Sequence, residues 1–129
     1  MGLKYAAVHT AFHLLAPVAI AVSFNLNPAQ FIIAFFGSLV VDVDHFGLVL
    51  KHGIRGAFSR IVVKGYGKAR RYPVHNYAFV ALSALGSFLV AWNGYFLVGI
   101  FSFAVFIHLL WDLLEDAVIF RIRLDNWKV

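Results

Sequence analysis

Histidine and aspartate residues lie close together in this sequence in small groups, and these groups are the side chains best suited to chemistry. Within each group, residues recur at intervals of three or four positions, a spacing that places them on the same face of a helix. Three of the four groups would therefore point two candidate ligands in one direction, and the fourth is a single histidine. The groups are His9 with His13, Asp42-Val43-Asp44-His45, His75 alone, and His108 with Asp112.

Neutral imidazole and carboxylate groups are ligands of divalent cations. The chain has no cysteine, which excludes thiolate sites, disulfides and cysteine nucleophiles. We therefore predict a bound divalent metal ion, with zinc as the commonest choice for such ligands and manganese or iron as alternatives. For any single pair, a hydrogen-bonded network that only joins helices is the alternative. The predicted metal ligands are His9, His13, Asp42, Asp44, His45, His75, His108 and Asp112.

The composition indicates which elements must position these ligands. Of the 129 residues 62% are hydrophobic and only 13% are charged, which is too apolar for a soluble domain. A membrane span needs about 20 apolar residues, and four such stretches are present. We predict an all-α integral membrane protein that forms a single domain over residues 1–129, with two helical hairpins joined by a basic cytoplasmic loop. The predicted spans are 5–24, 28–50, 73–92 and 95–120, and the loop is 51–72.

The distribution of charge predicts the orientation of these spans. The loop 51–72 carries lysine and arginine but no acid, a feature typical of cytoplasmic loops. Four spans then place both termini in the cytoplasm and every basic residue on one side, as expected for a multi-pass protein of the cell membrane. The net charge of +5 therefore indicates membrane lipids as partners, and not nucleic acid. The loop itself is either a short helix on the headgroups or a solvated segment.

This topology places the candidate ligands in one layer of the membrane. At about 1.5 Å per residue, the histidines and aspartates of all four spans fall in the cytoplasmic half. An ionisable group inside a bilayer costs at least ~2.5 kcal/mol, so the groups must face one another in the bundle interior. A cation would offset the burial of the whole set. Because His9 and His13 interrupt the first apolar stretch, we expect that span to be retained and not cleaved as a secretory signal.

Glu115 and Asp116 are weaker candidates for the site. They lie at the end of the fourth span near Arg121 and Arg123, where interfacial ion pairs are expected. The alternative for Glu115 is a supporting or proton-transferring group, because it follows Asp112 by three residues.

Three segments together resemble the membrane-bound metal-dependent hydrolase-like family over nearly the whole chain. They are Asp42-Val43-Asp44-His45, Arg70-Arg71-Tyr72-Pro73-Val74-His75-Asn76 and His108-Leu109-Leu110-Trp111-Asp112. The family pattern is an early His, a D-x-D-H motif, an H-R-G-x-T-H-S motif and a late H-x-x-x-D motif. The resemblance implies a small helical membrane protein in which the matching His and Asp residues bind metal. The third motif differs here, with Arg70, Val74 and Asn76 in place of His, Thr and Ser.

The function predicted from these features is a metal-dependent hydrolase that acts at the cytoplasmic leaflet on an ester or phosphoester of a lipid-like substrate. Asp44 and Asp112 are the predicted catalytic carboxylates, with Asp44 as ligand or base. Arg70 and Arg71 are predicted to bind an anionic headgroup. The alternative is a non-catalytic metal-binding structural or interaction protein, favoured by the changes in the third motif. Transport is disfavoured because the outer halves of the spans lack ionisable residues, and an oligomer is compatible with all of these functions.

Overall fold

The computed structural model describes residues 2–45, 49–53 and 74–119, with side chains described for 11–43, 49–53, 74–115, 117 and 118. The described residues are helical and contain no strand, which confirms the all-α prediction for them. The four α-helices are α1 (Gly2–Ser23), α2 (Pro28–Val40), α3 (Tyr77–Trp92) and α4 (Phe96–Leu114). A 3₁₀ turn, Val41–His45, continues α2, and a π-helical turn, Glu115–Ile119, continues α4.

Asparagine side chains begin two of the helices. Asn27 accepts a hydrogen bond from the Gln30 backbone N–H at 3.0 Å, and the Gln30 side chain accepts one from the Asn27 N–H at 2.8 Å. This capping box satisfies two N–H groups that a helix start leaves without intrahelical partners. Asn76 starts α3 in a similar way, since its Oδ1 accepts from the Phe79 N–H at 3.0 Å. The caps determine where α2 and α3 begin.

Tight turns join the helices into two hairpins. Between α1 and α2 the chain turns at Asn25, which adopts φ of 49°. Between α3 and α4, the predicted turn at Asn93 and Gly94 is present. Gly94 has φ of 84°, and the Asn93 side chain donates to the Leu89 carbonyl at 2.7 Å. A φ in this range favours glycine or asparagine, so the sequence contained the signal for both turns.

Helix α4 is the central element, because it packs against α1, α2 and α3. Around it the buried apolar core is small: Ile20, Ala34, Ile100 and Ala104. Beyond this core, many large apolar side chains on all four helices face outward, including Val22 at 78% exposed and Phe88 at 64%. Several buried side chains are polar, and they include His13, His108 and Asp112.

The prediction of four membrane spans is not supported by the helix lengths. Within the described residues, α4 is the one helix long and apolar enough to cross a membrane, with a mean hydropathy of 2.1. The other apolar segments are shorter: Ala11–Ser23, Pro28–Val43 and Tyr77–Trp92. The second predicted span, 28–50, fails as one α-helix because α2 ends at Val40. The chain then tightens to a 3₁₀ turn, in which aspartate and β-branched valine, both weak helix formers, alternate. The basic loop lies outside the described residues from position 54 to 72.

Candidate metal centre

His108 lies at the centre of the buried polar cluster. Its side chain is fully buried on α4, and its Nδ1 donates a hydrogen bond to the backbone carbonyl of Ser38 on α2. The Ser38 carbonyl is one of the last four of α2, which have no partner within an α-helix. Because a carbonyl oxygen can only accept, Nδ1 must carry the hydrogen. The Nε2 of neutral His108 is therefore an unprotonated lone pair.

The lone pair of His108 faces two carboxylates. Its Nε2 is 2.9 Å from Asp112 Oδ2 and 3.7 Å from Asp42 Oδ1. Despite the short distance to Asp112, Nε2 has no partner in hydrogen-bonding geometry among the described residues. A lone pair held against a carboxylate oxygen is repulsive unless a proton or a metal ion lies between them. In metal-binding histidines, the ring nitrogen that does not bind the metal typically donates to a carbonyl or a carboxylate, as Nδ1 of His108 does to the Ser38 carbonyl.

Asp112 links His108 to a second histidine. His75 Nε2 lies 3.0 Å from Asp112 Oδ2, and the two side chains are each about 6% exposed. His75 immediately precedes Asn76, so the cap that starts α3 also determines where His75 enters the cluster. A backbone turn outside any helix thus supplies this imidazole, and one carboxylate oxygen contacts both histidines.

His13 on α1 also contacts the ring of His108. The two ring centroids are 4.2 Å apart with the ring planes tilted by 34°, and His13 is 6% exposed. The neighbouring Phe12 stacks on Trp111, with centroids 4.1 Å apart and planes 7° from parallel. This stacking holds α1 against α4 next to the histidine pair.

Two groups of three side chains have the geometry to hold a metal ion. They are His13 with Asp42 and His108, and His75 with His108 and Asp112; within each group the ligand atoms lie within 4.8 Å of one another. Because Nδ1 of His108 is taken by Ser38, both groups share a single atom, Nε2. We therefore treat them as one centre. Two ligand atoms bound to one ion at the usual bond lengths are about 3.0 to 3.4 Å apart. The distances from Asp112 Oδ2 to both histidines are close to this spacing.

The described part of the chain brings together side chains of α1, the 3₁₀ turn after α2, the segment just before α3, and α4. Its buried His and Asp groups could hold a metal ion. The residues brought together are His13, Asp42, His75, His108 and Asp112. The other predicted site residues lie outside the described side chains: His9, Asp44, His45, Arg70 and Arg71. Their roles stay predictions.

Glu115 requires a correction. The expectation of an exposed position is wrong, because Glu115 is only 2% exposed, while its predicted ion-pair partners Arg121 and Arg123 lie outside the described residues. It lies seven residues after His108 and three after Asp112, so all three fall on one face of α4 and its π-helical extension. This spacing was visible in the sequence.

No protein-family model, curated protein or solved structure matches this chain. The resemblance to the membrane-bound metal-dependent hydrolase-like family therefore stays a prediction based on the quoted segments. The same applies to the hydrolase reaction and to zinc.

Proposed function

We propose that this chain is a multi-pass membrane protein that binds a divalent metal ion and hydrolyses an ester or phosphoester of a lipid-like substrate at the cytoplasmic leaflet. The observation that carries the proposal is the orientation of His108. Its Nδ1–H is fixed by the Ser38 carbonyl, and its Nε2 lone pair meets the carboxylate of Asp112 at 2.9 Å. A cation at this point would turn a repulsive contact into coordination.

The burial of the cluster supports a bound ion. His13, His75, His108 and Asp112 are all less than 8% exposed. Burying a carboxylate is costly unless a positive charge compensates it. A divalent cation would compensate both Asp42 and Asp112 and leave the three imidazoles neutral, which is the form in which they bind metal. Imidazole and carboxylate ligands suit zinc, manganese and iron, with zinc as our first choice.

The distribution of side chains supports several membrane crossings. Large apolar residues are exposed on every helix, as shown by Leu15 on α1, Phe36 on α2 and Leu82 on α3, each more than 60% exposed. Helix α2 alone would span about 20 Å, and the 3₁₀ turn after it adds about 10 Å, which together match a hydrocarbon core of about 30 Å. In this proposal, both termini and the basic loop lie in the cytoplasm.

The open side of the cluster supports hydrolysis. Structural metal sites are closed by protein ligands, whereas catalytic sites keep a position for water or substrate. The Asp42 side chain is 36% exposed, unlike the nearly enclosed ligands opposite it. When bound, the metal would lower the pKa of a coordinated water and polarise the substrate. Asp112 would orient His75 and His108, Asp44 would serve as ligand or base, and Arg70 and Arg71 would bind the headgroup.

The alternative is a metal site with a purely structural role. It is favoured by the arrangement of Asp112, whose single oxygen Oδ2 contacts both His75 and His108 and so joins the start of α3 to α4. A metal at this point would join α1, α2 and α3 to the central helix. Structural sites of this kind contribute directly to folding free energy.

Metal analysis and an activity assay on detergent-purified protein test the proposal. We expect about one divalent ion per chain in the wild type, little in His108→Ala, and wild-type content in His52→Ala, a histidine of the helical residues 49–53 that is not a predicted ligand. Cleavage of ester or phosphoester headgroup substrates should require the metal and be lost in Asp112→Ala. Equal metal content in wild type and His108→Ala would refute the site. Bound metal without cleavage of any headgroup substrate would favour the structural alternative.

A further inference from the structure

A cavity of about 290 Å³ lies where the end of α1, the end of α3 and the start of α4 meet. Ile20, Gly99 and Ile100 are buried at the bottom of the cavity. Two other lining residues, Phe24 and Phe88, are 55% and 64% exposed. The cavity therefore opens from the interior of the bundle to its outer surface.

Two contacts with α4 determine the shape of this cavity. On one side, the Phe24 ring packs edge-to-face on the Phe103 ring with centroids 5.6 Å apart, which joins α1 to α4. On the other side, α3 approaches α4 so closely that a Cβ atom added at Gly99 would lie 3.0 Å from the Ala91 Cβ. Helices α1 and α3 are thus each held against α4, and the cavity lies between them.

The lining of the cavity suits a hydrocarbon ligand. Ser87 is the one lining residue with a polar side chain, and its Oγ already donates to the Ala84 carbonyl at 2.7 Å. The lining thus offers little to hold a water molecule or a polar ligand. An apolar cavity of about 150 Å³ stays dry and binds benzene, so one about twice that size would hold a hydrocarbon segment of on the order of ten carbons.

The surface around the opening is also apolar. Val22, Leu85 and Phe96 are 78%, 54% and 47% exposed at this end of the bundle. The proposed function places such a surface in lipid, where acyl chains are the molecules in contact with the opening. A chain that enters the cavity would gain packing contacts that an empty space cannot provide.

We propose that this cavity binds one acyl chain of a membrane phospholipid. The proposal rests on the membrane part of the proposed function and is independent of the metal. Ile20 lies seven residues after His13, and Ile100 lies eight residues before His108. At 1.5 Å per residue, the cavity is therefore about 10 to 12 Å along the helices from the metal centre.

Photocrosslinking in vesicles tests the proposal on the wild-type chain. The probes are phosphatidylcholines with a diazirine at successive positions along one acyl chain, mixed into phosphatidylcholine vesicles that contain the protein. Lipid around the bundle will label exposed residues such as Leu85. Ile20 and Ile100 are only 6% and 7% exposed, so label on them reports a chain inside the cavity. We expect mass spectrometry to find both residues labelled.

A filled cavity provides the matched comparison. Ser87→Phe places a ring in the cavity and should abolish the labelling of Ile20 and Ile100. Leu85→Phe adds a ring to the same helix at a residue that does not line the cavity, and should leave that labelling unchanged.

The wild-type map decides the question even if Ser87→Phe does not fold. Labels confined to exposed residues in the wild type would overturn the acyl-chain site and leave the membrane and metal proposals intact. Equal labelling of Ile20 and Ile100 in Ser87→Phe and wild type, or an equal loss in both variants, would also overturn it. Failure of the wild-type chain to insert into the vesicles would instead refute the membrane part of the proposed function.

Discussion

His108 shows how a single side chain can be committed to one chemical role by its neighbours. The Ser38 carbonyl takes one ring nitrogen, and the Asp112 carboxylate lies 2.9 Å from the other. The imidazole is therefore presented to the cluster through Nε2 alone. The two carboxylates around it are not equivalent, because Asp112 is 5% exposed and contacts two histidines, whereas the Asp42 side chain is 36% exposed and its Oδ1 is 3.7 Å from His108 Nε2.

This difference predicts an order of effects for two matched substitutions. Asp112→Asn should weaken divalent metal binding by more than about tenfold. A loss of about tenfold is already seen when a group that only hydrogen-bonds to a metal ligand is removed, and Asp112 is itself a predicted ligand. Asp42→Asn should weaken it less, because solvent can replace an exposed carboxylate. Competition with a chelator of known affinity in detergent would measure both. The assignment of Asp112 as the central carboxylate would be wrong if Asp42→Asn caused the larger loss.

At the scale of elements, the contact between α2 and α4 brings Ser38 and His108 together. A Cβ atom added at Gly37 would lie 2.7 Å from the Phe101 carbonyl oxygen and 3.0 Å from the Ala104 Cβ. The nearest of these atoms belongs to backbone, which cannot move aside without moving the helix. Small residues therefore permit the close approach on which the orientation of His108 depends.

Gly37→Ala should separate α2 from α4 and so disturb the metal site from outside it. We expect a loss of about 1 to 3 kcal/mol in the free energy of unfolding from overpacking, together with reduced metal content. Gly86→Ala is the matched control, since its new Cβ would meet only the Ser102 side chain at 3.8 Å and would gain helix propensity. Unfolding in detergent and element analysis would compare the two variants. A metal content in Gly37→Ala equal to that of Gly86→Ala would contradict the proposed dependence.

At the scale of the whole molecule, polar side chains share the interior with apolar ones. The fully buried side chains include His108, Glu115 and Ser38, while large apolar side chains cover the outside of all four helices. Such a distribution is unfavourable in water and favourable in lipid, where polar groups must find partners inside the protein. Several crossings stay part of the proposed function, since α4 is the one helix among the described residues that is long and apolar enough to span a membrane.

Cysteine labelling can separate four crossings from one. The chain has no cysteine, so Lys51→Cys and Tyr95→Cys each create a single thiol. With four spans, these sites lie on opposite sides, and an impermeant maleimide should label Tyr95→Cys in intact cells but Lys51→Cys only after permeabilisation. With α4 as the sole span, both sites precede it and lie on the same side. Identical labelling of the two variants in intact cells would therefore exclude four crossings.

Much of the helical framework follows from local sequence. Asparagine at helix starts, the Asn93-Gly94 turn and long apolar stretches are read from neighbouring residues, because caps, turns and helix propensity act over a few positions. The four-residue spacing of His108 and Asp112 was likewise enough to predict that they share a face. Asn76 is informative too: it differs from the family pattern, yet it caps α3 as a serine would.

Only the tertiary structure decided how these pieces combine. The end of α2 at Val40, the hydrogen bond from His108 to the Ser38 carbonyl and the burial of Glu115 depend on contacts between helices that are distant in sequence. Periodicity places a side chain on a face but does not specify which helix covers that face, or which carbonyl lies opposite. Residue types and spacing therefore predicted candidate ligands and helices, whereas packing determined which ring nitrogen faces Asp112.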